Sequence, residues 1–106
     1  MKLTVEPQAA AWFKEEVGLS QGAGIRFLAK VYGCSPINSG FSLAMETNYP
    51  KQPAADFRDQ EGIYYYIEES DLWFFDGYDL NVVYDEQLAE PRYEYCKNGQ
   101  LLASQD

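Results

Sequence analysis

Histidine is absent from this chain of 106 residues. That absence excludes Ser-His-Asp triads, Cys-His nucleophile pairs and imidazole metal ligands. Cysteine is scarce, because Cys34 and Cys96 are the only two, too few for a disulfide framework. No apolar run approaches the ~20 residues that a membrane-spanning helix needs, and the first residues lack the apolar stretch of a secretory signal. We therefore expect a cytoplasmic protein with free thiols and no membrane partner.

Basic residues are also few. Eight Lys and Arg face 17 Asp and Glu, which gives a formal charge of -9. Such a surface repels phosphate backbones, so the composition predicts no nucleic-acid partner. It favours basic protein partners or hard cations, and a merely solvated acidic surface is the plainer alternative. No loop shows a metal-site spacing such as D-x-D-x-D-G. With no histidine, and with no sign in the sequence of two carboxylates held at a catalytic separation, we predict no catalytic residues and no enzyme activity.

What the chain does have is apolar and aromatic content, 46% and 16% of its residues. This is enough for one packed core at this length. We expect a single domain over residues 1–106, with a core of about 1–99 and a loosely held tail at 100–106.

The apolar spacing changes along the chain from a helical to an extended period. After a short strand, Pro7 opens an amphipathic segment whose apolar residues Ala9, Phe13 and Val17 recur at four-residue spacing, as on one face of a helix. From Gly24 onward the apolar residues alternate, with a loop predicted over 33–40 and further strands near the end of the chain. Helix precedes strands, so we predict an α+β fold, mainly β, with the N-terminal helix packed on curved antiparallel or mixed sheets.

Two motifs follow one another in this framework. The first is GIRFLAKVYGCS, of the form G-x-R-x-x-x-x-x-x-G-C-S, and the second is LWFFDGYDL, of the form L-x-F-x-D-G-x-x-L. The residues at the specified positions of the two motifs are Gly24, Arg26, Gly33, Cys34 and Ser35, then Leu72, Phe74, Asp76, Gly77 and Leu80. With the terminal AEPRYEYCKNGQ, this order resembles the HesB-like family, which includes the A-type iron–sulfur carriers, over roughly residues 1 to 99.

The resemblance implies a protein of iron–sulfur cluster biogenesis. The family's carriers hold iron or a cluster through one cysteine after the second strand and a C-terminal C-G-C pair. Cys34 occupies the first position, the C-G-C pair is missing, and Cys96 lies earlier, within the last predicted strand. The implied function is a carrier or scaffold for iron or an iron–sulfur cluster that uses Cys34, with Cys96 as a weaker candidate and iron–sulfur assembly proteins or a second copy as partners.

A second hypothesis needs no metal. In the segment IYYYIEE, Tyr64 and Tyr66 share one face of a strand while Tyr65 takes the other. An exposed pair, joined by other tyrosines at Tyr32, Tyr84 and Tyr93, would suit a protein interface. The chain would then be a metal-free interaction module or homodimer, although coverage of both strand faces by the fold is an equal alternative.

Overall fold

The computed structural model describes residues 1–19, 21–35 and 37–105, with only the backbone for 32–35, 38–39 and 102–105. In that part of the chain the elements are β1 Leu3–Val5, α1 Pro7–Glu16, β2 Gly24–Ser35, β3 Asn38–Asn48, β4 Pro53–Arg58, β5 Tyr64–Glu68, a 3-10 turn Glu69–Asp71, α2 Leu72–Phe75, β6 Asp79–Asp85, β7 Glu90–Lys97 and β8 Gln100–Gln105.

The strands form two four-stranded sheets. One has the order β1-β6-β7-β8 and the other β3-β2-β5-β4. Each sheet contains one parallel pair, β1 with β6 and β2 with β5, and is otherwise antiparallel. The prediction of an α+β fold, mainly β, on mixed sheets is confirmed.

Helix α1 packs against both sheets through its apolar stripe. Pro7 stands in the first turn, where its missing N–H costs no hydrogen bond. Ala9 and Phe13 are fully buried. The Phe13 ring lies 6.2 Å from Phe27 of β2 and 5.7 Å from Tyr65 of β5, edge to face in both cases. The predicted helix and its buried face are therefore confirmed.

The two sheets and α1 share one core of buried side chains. Tyr93 of β7 contacts Phe27 of β2 at 5.9 Å between ring centroids, which joins the sheets directly. Alternate residues of strands β1 to β7 enter the core or pack against it, as the two-residue period of a strand requires. The largest fully buried members are Tyr65, Tyr66, Tyr95, Phe13, Phe27, Phe74, Phe75, Ile25, Ile67, Leu80 and Val82; of these, Tyr66 is buried on the opposite face of its sheet.

Two segments differ from the sequence prediction. Most of the loop expected over 33–40 is strand, because β2 continues to Ser35, β3 begins at Asn38, and a register shift after Val31 absorbs the irregular residues. The expected tail contains β8, which pairs antiparallel with β7. Asn98 and Gly99 both have positive φ, 54° and 80°, so the turn reverses the chain and returns it along β7.

Candidate protein-binding surface

The segment between β5 and β6 is fixed to the fold from two sides. Phe74 and Phe75 of α2 are fully buried. In the preceding 3-10 turn, Asp71 Oδ2 accepts hydrogen bonds from Arg26 Nε at 3.1 Å and Nη2 at 2.8 Å. Asp76 at φ 50° and Gly77 at φ 81° then end the helix in left-handed conformations. This four-residue helix is therefore held rigidly although it is short.

The same helix presents two large apolar side chains to solvent. Trp73 is 52% exposed and Leu72 37%. The Trp73 ring stands edge-on to Phe41 of β3, with 4.9 Å between centroids. Val31 of β2 pairs with Phe41 across the strands and is 56% exposed, and residues directly opposite in a pair point to the same face. We call Val31, Phe41, Leu72 and Trp73 the Trp73 patch.

Carboxylates flank this apolar surface in the chain. Glu69 and Asp76, on either side of α2, are exposed. The nearby Lys97 is engaged elsewhere, because its ammonium lies 4.8 Å from the centroid of the Tyr78 ring. Arg26 is likewise occupied by Asp71 and, at 3.4 Å, by Glu46. Exposed acidic residues thus adjoin α2 on both sides in the chain, whose total charge is -9, while one exposed cation, Lys30, adjoins Val31 in β2.

The tyrosines of β5 lie where the alternation placed them, but they do not form an exposed patch. Tyr64 and Tyr66 stack on the outer face of their sheet, 5.5 Å apart and 19° from parallel. Tyr66 is fully buried and Tyr64 half-buried. Tyr64 donates a hydrogen bond to Asp56 at 2.9 Å, and the Arg58 guanidinium lies 4.8 Å from the centre of its ring. Burial and then the Asp56 hydrogen bond raise the pKa of Tyr64 to about 12.

The connection between β3 and β4 is tied to the end of this strand. The carboxylate of Glu68, which is buried, accepts hydrogen bonds from the backbone N–H groups of Lys51 and Gln52 at 3.2 Å. Glu69 N–H donates to the Gln52 carbonyl at 2.9 Å. Glu68 therefore serves the fold as a satisfied buried carboxylate rather than as a catalytic acid.

The remaining predicted tyrosines do not join this pair. Tyr93 faces the core against Phe27, as described above, and burial raises its pKa to about 12. Tyr84 is half-buried in β6, in the other sheet, and packs against the core. The side chain of Tyr32 lies outside the described residues. Tyr65 and Tyr66 lie on opposite faces of β5 and are both fully buried. At this position the fold therefore covers both faces of the strand.

The two cysteines lie in different sheets, and only the side chain of Cys96 is among those described. The backbone of Cys34 lies in β2 opposite Ser39 of β3, and its side chain is outside the described residues. Cys96 is in β7, where Asn81 Nδ2 donates to its sulfur at 3.2 Å. Burial, with Glu94 and Asp79, raises the pKa of the Cys96 thiol. A raised pKa keeps the thiol protonated, and the protonated form is a poor metal ligand.

Metal ligands do not cluster in the structure as far as it is described. Within residues 1–19, 21–35 and 37–105, no group of three or more His, Cys, Asp or Glu side chains is placed to hold an ion. Because the Cys34 side chain is not among those described, iron binding at that residue stays a prediction. Neither helix in the described ranges combines the length and apolar character needed to cross a bilayer.

The Trp73 patch was not predicted from the sequence, although the sequence contains a signal for it. The run Leu72–Phe75 places four large apolar residues in one helical turn. Successive helical residues point about 100° apart, so a single turn packed on a core cannot bury all four. At least one of the four must therefore face solvent, and in the structure Leu72 and Trp73 do so.

Fold and surface together define a small acidic α+β protein with an exposed aromatic patch, and comparison with known proteins gives its family. The chain is 43% identical over 95 residues to a Bacillus subtilis (strain 168) protein named pyruvate dehydrogenase inhibitor, a match that spans 90% of this chain and 99% of the relative. It therefore belongs to the same family as that protein. A Staphylococcus saprophyticus protein of uncharacterized function is 26% identical over 95 residues, covering 88% of this chain and 97% of the relative. No protein-family model matches the chain.

These findings correct the function drawn from the resemblance. The prediction of an iron–sulfur carrier or scaffold is wrong, because the relative that shows the family is named as an inhibitor of an enzyme. That name agrees with the prediction that the chain interacts with another protein. It does not support the prediction that this partner belongs to iron–sulfur assembly. The relationship to the HesB-like family itself stays a prediction, as do self-association and the single domain over 1–106.

Four of the motif residues on which the resemblance rests have structural roles in this fold. A Cβ atom at Gly24 would lie 2.6 Å from the Tyr64 carbonyl oxygen, so the backbone approach of β2 to β5 requires glycine. Arg26 anchors Asp71, Phe74 fills the core, and Asp76 begins a left-handed turn. These four positions therefore have structural roles in strand contacts, an ion pair, the core and a turn.

Proposed function

We propose that this protein inhibits pyruvate dehydrogenase by binding to it, without catalysing a reaction. The observation that carries the proposal is the 43% identity to a pyruvate dehydrogenase inhibitor over nearly the whole of both chains. The match covers 99% of the relative, so nearly every part of that protein has a counterpart in this chain. The predicted protein partner is, in this proposal, a component of the pyruvate dehydrogenase complex.

The titratable groups support a binding role over a catalytic one. The shifted acids of the described residues are five tyrosines and Cys96, and in every case the pKa is raised. For a tyrosine or a cysteine, a raised pKa makes the deprotonated, reactive form scarcer near neutral pH, and this chain has no histidine to act as a partner base. The shifts accompany burial in a core and give no activated group.

A titration of the purified pyruvate dehydrogenase complex tests the proposal. We expect activity to fall in proportion to added chain, to reach a plateau at a fixed number of chains per complex, and to return on dilution. The two should also co-migrate in size-exclusion chromatography. A binding inhibitor acts stoichiometrically, whereas a modifying enzyme would act at trace amounts and leave a covalent mass change.

Two results would contradict the proposal. Unchanged activity at a large excess of folded chain, with no co-migration, would remove the proposed target. Progressive inactivation by catalytic amounts of chain would show that the protein is an enzyme. Heat-denatured chain is the control for non-specific effects of added protein.

A further inference from the structure

We infer that the Trp73 patch is the surface that docks on the inhibited enzyme, and that its binding site there is an apolar pocket bordered by Lys and Arg. This inference rests on the proposed function and adds which face of the chain makes the contact. It stands on three properties of the patch: exposure, rigidity and charge.

Exposure is unusual for the side chains involved. Tryptophan is highly buried on average in folded proteins, yet half of Trp73 faces solvent in this structure. Its neighbours Val31 and Leu72 are exposed as well, so the apolar surface is continuous and not a single side chain. Tryptophan is enriched among the few residues that dominate binding energy at protein interfaces.

Rigidity makes such a side chain more effective. The Trp73 ring is braced edge-on by Phe41 at 4.9 Å and by Phe74 at 6.2 Å. The backbone beneath it is fixed by the Asp71–Arg26 ion pair at 2.8 Å. Side chains that are ordered before binding lose less conformational entropy when the complex forms. The patch is therefore prepared to insert into a pocket without rearrangement.

Charge indicates what borders that pocket. The chain carries -9, and three of its cations, Lys14, Arg26 and Arg92, already contact carboxylates of the same chain. Glu69 and Asp76, on either side of the patch in sequence, are exposed. A partner surface with Lys or Arg around an apolar centre complements this arrangement and speeds encounter at low salt.

Two patch variants and a matched control test the docking surface by inhibition constant and by Kd. Trp73→Ala should weaken inhibition by about 30-fold or more, as for a central interface residue. Val31→Lys, at a position already exposed, should weaken it by about 10-fold because it adds a cation facing a basic rim. Leu88→Ala, whose leucine is 51% exposed in the turn between β6 and β7, should stay within about 2-fold of wild type. Circular dichroism confirms that each variant is folded.

A second pair of variants tests whether the acidic residues beside α2 speed association with the enzyme. The double variant Glu69→Gln, Asp76→Asn should lower the association rate at low salt by about 2- to 5-fold and flatten its salt dependence. Asparagine is tolerated at the left-handed position of Asp76, so the turn is kept. Glu86→Gln, in the turn between β6 and β7, removes a charge away from the patch and should leave the rate unchanged.

The outcomes separate this inference from the proposed function. If wild-type chain does not inhibit, the function is wrong. If the wild-type chain inhibits, and the folded variants Trp73→Ala and Val31→Lys each inhibit as well as wild type, the function stands and the docking surface is wrong. A change in self-association of Trp73→Ala without a change in inhibition would assign the patch to a second copy of the chain, which also overturns the inference.

Discussion

Replacing Tyr65 by Phe and, in a separate variant, Tyr66 by Phe compares two adjacent hydroxyl groups with opposite surroundings. Both residues are fully buried in β5 and point to opposite faces of one sheet. Tyr65 donates to Asp59 Oδ2 at 2.8 Å. Tyr66 Oη is buried with no hydrogen-bond partner among the described residues. The same atom is removed in each variant, so any difference in stability reports its hydrogen bonding.

The expected loss at Tyr65 follows from the bond to a carboxylate. Hydrogen bonds to charged groups contribute about 1.5–3 kcal/mol. The value should lie toward the lower end, about 1.5–2 kcal/mol, because Asp59 is half-buried and water can reach it. Asp59 Oδ1 keeps its bonds from the N–H groups of Glu61 and Ile63, both at 2.9 Å, so the turn survives.

The Tyr66 variant should behave in the opposite way. Removing an unpaired buried hydroxyl releases its desolvation cost, so Tyr66→Phe should be neutral or more stable by up to about 1 kcal/mol. Urea unfolding measures both variants. The two variants then differ by about 1.5–3 kcal/mol, so with an m-value of about 1–2 kcal/mol/M their midpoints should differ by about 0.8–3 M.

A double-mutant cycle identifies the partner. Tyr65→Phe should cost much less in an Asp59→Asn background than in wild type, with a coupling free energy of about 1 kcal/mol. Equal destabilisation by Tyr65→Phe and Tyr66→Phe, or a larger loss at Tyr66, would refute the reasoning, since it would show that Tyr66 has a partner or that ring packing alone sets the cost.

Gly24→Ala should destabilise by about 1–3 kcal/mol in urea unfolding because its Cβ would lie 2.6 Å from a backbone oxygen, whereas Gly18→Ala, with nothing within 4 Å, should not; equal effects would contradict this. Asp71→Asn should cost about 1–2 kcal/mol and weaken inhibition, because the Arg26 ion pair is only partly exposed and fixes α2; a stable variant with full inhibition would disprove that anchor. Stability should fall as the pH rises from about 10 towards 12, since the pKa of five tyrosines is raised, that of Tyr64 to about 12, and the native state favours their neutral phenols. Urea midpoints across that range measure the decline. Tyr64→Phe should make it less steep by about one-fifth, because four shifted tyrosines remain, and a variant curve parallel to wild type would count against a contribution from Tyr64.

Much of the fold could be predicted because local sequence and tertiary structure agree. Pro7 and the spacing of Ala9 and Phe13 indicate helix α1, and the alternation in IYYYIEE places Tyr65 opposite Tyr64 and Tyr66. These patterns are properties of neighbouring residues, so a single sequence contains them. Strand β8 was not predicted, because its pairing with β7 is a contact between two segments, and the apolar residues of QLLASQ are consecutive and show no two-residue alternation.

The candidate site could not be predicted in the same way. Motif residues such as Gly24 and Arg26 indicated a metal carrier by resemblance, while in the structure they support a strand contact and an ion pair. Whether Tyr66 is exposed depends on what covers the outer face of its sheet, and that cover comes from distant parts of the chain. The proposed function rests on similarity to a known protein and not on any motif.

Helix α1, most of the strands, the mixed α and β character and the acidic charge follow from the sequence, because each depends on composition or on residues close together in the chain. Which apolar side chains remain outside the core depends on the tertiary structure. Leu72, Trp73, Phe74 and Phe75 are consecutive and similar in hydrophobicity, yet the last two are buried and the first two exposed. The direction in which Arg26 and the core hold α2 sets that division, and it joins Trp73 to Phe41 across 32 positions of sequence to make one surface.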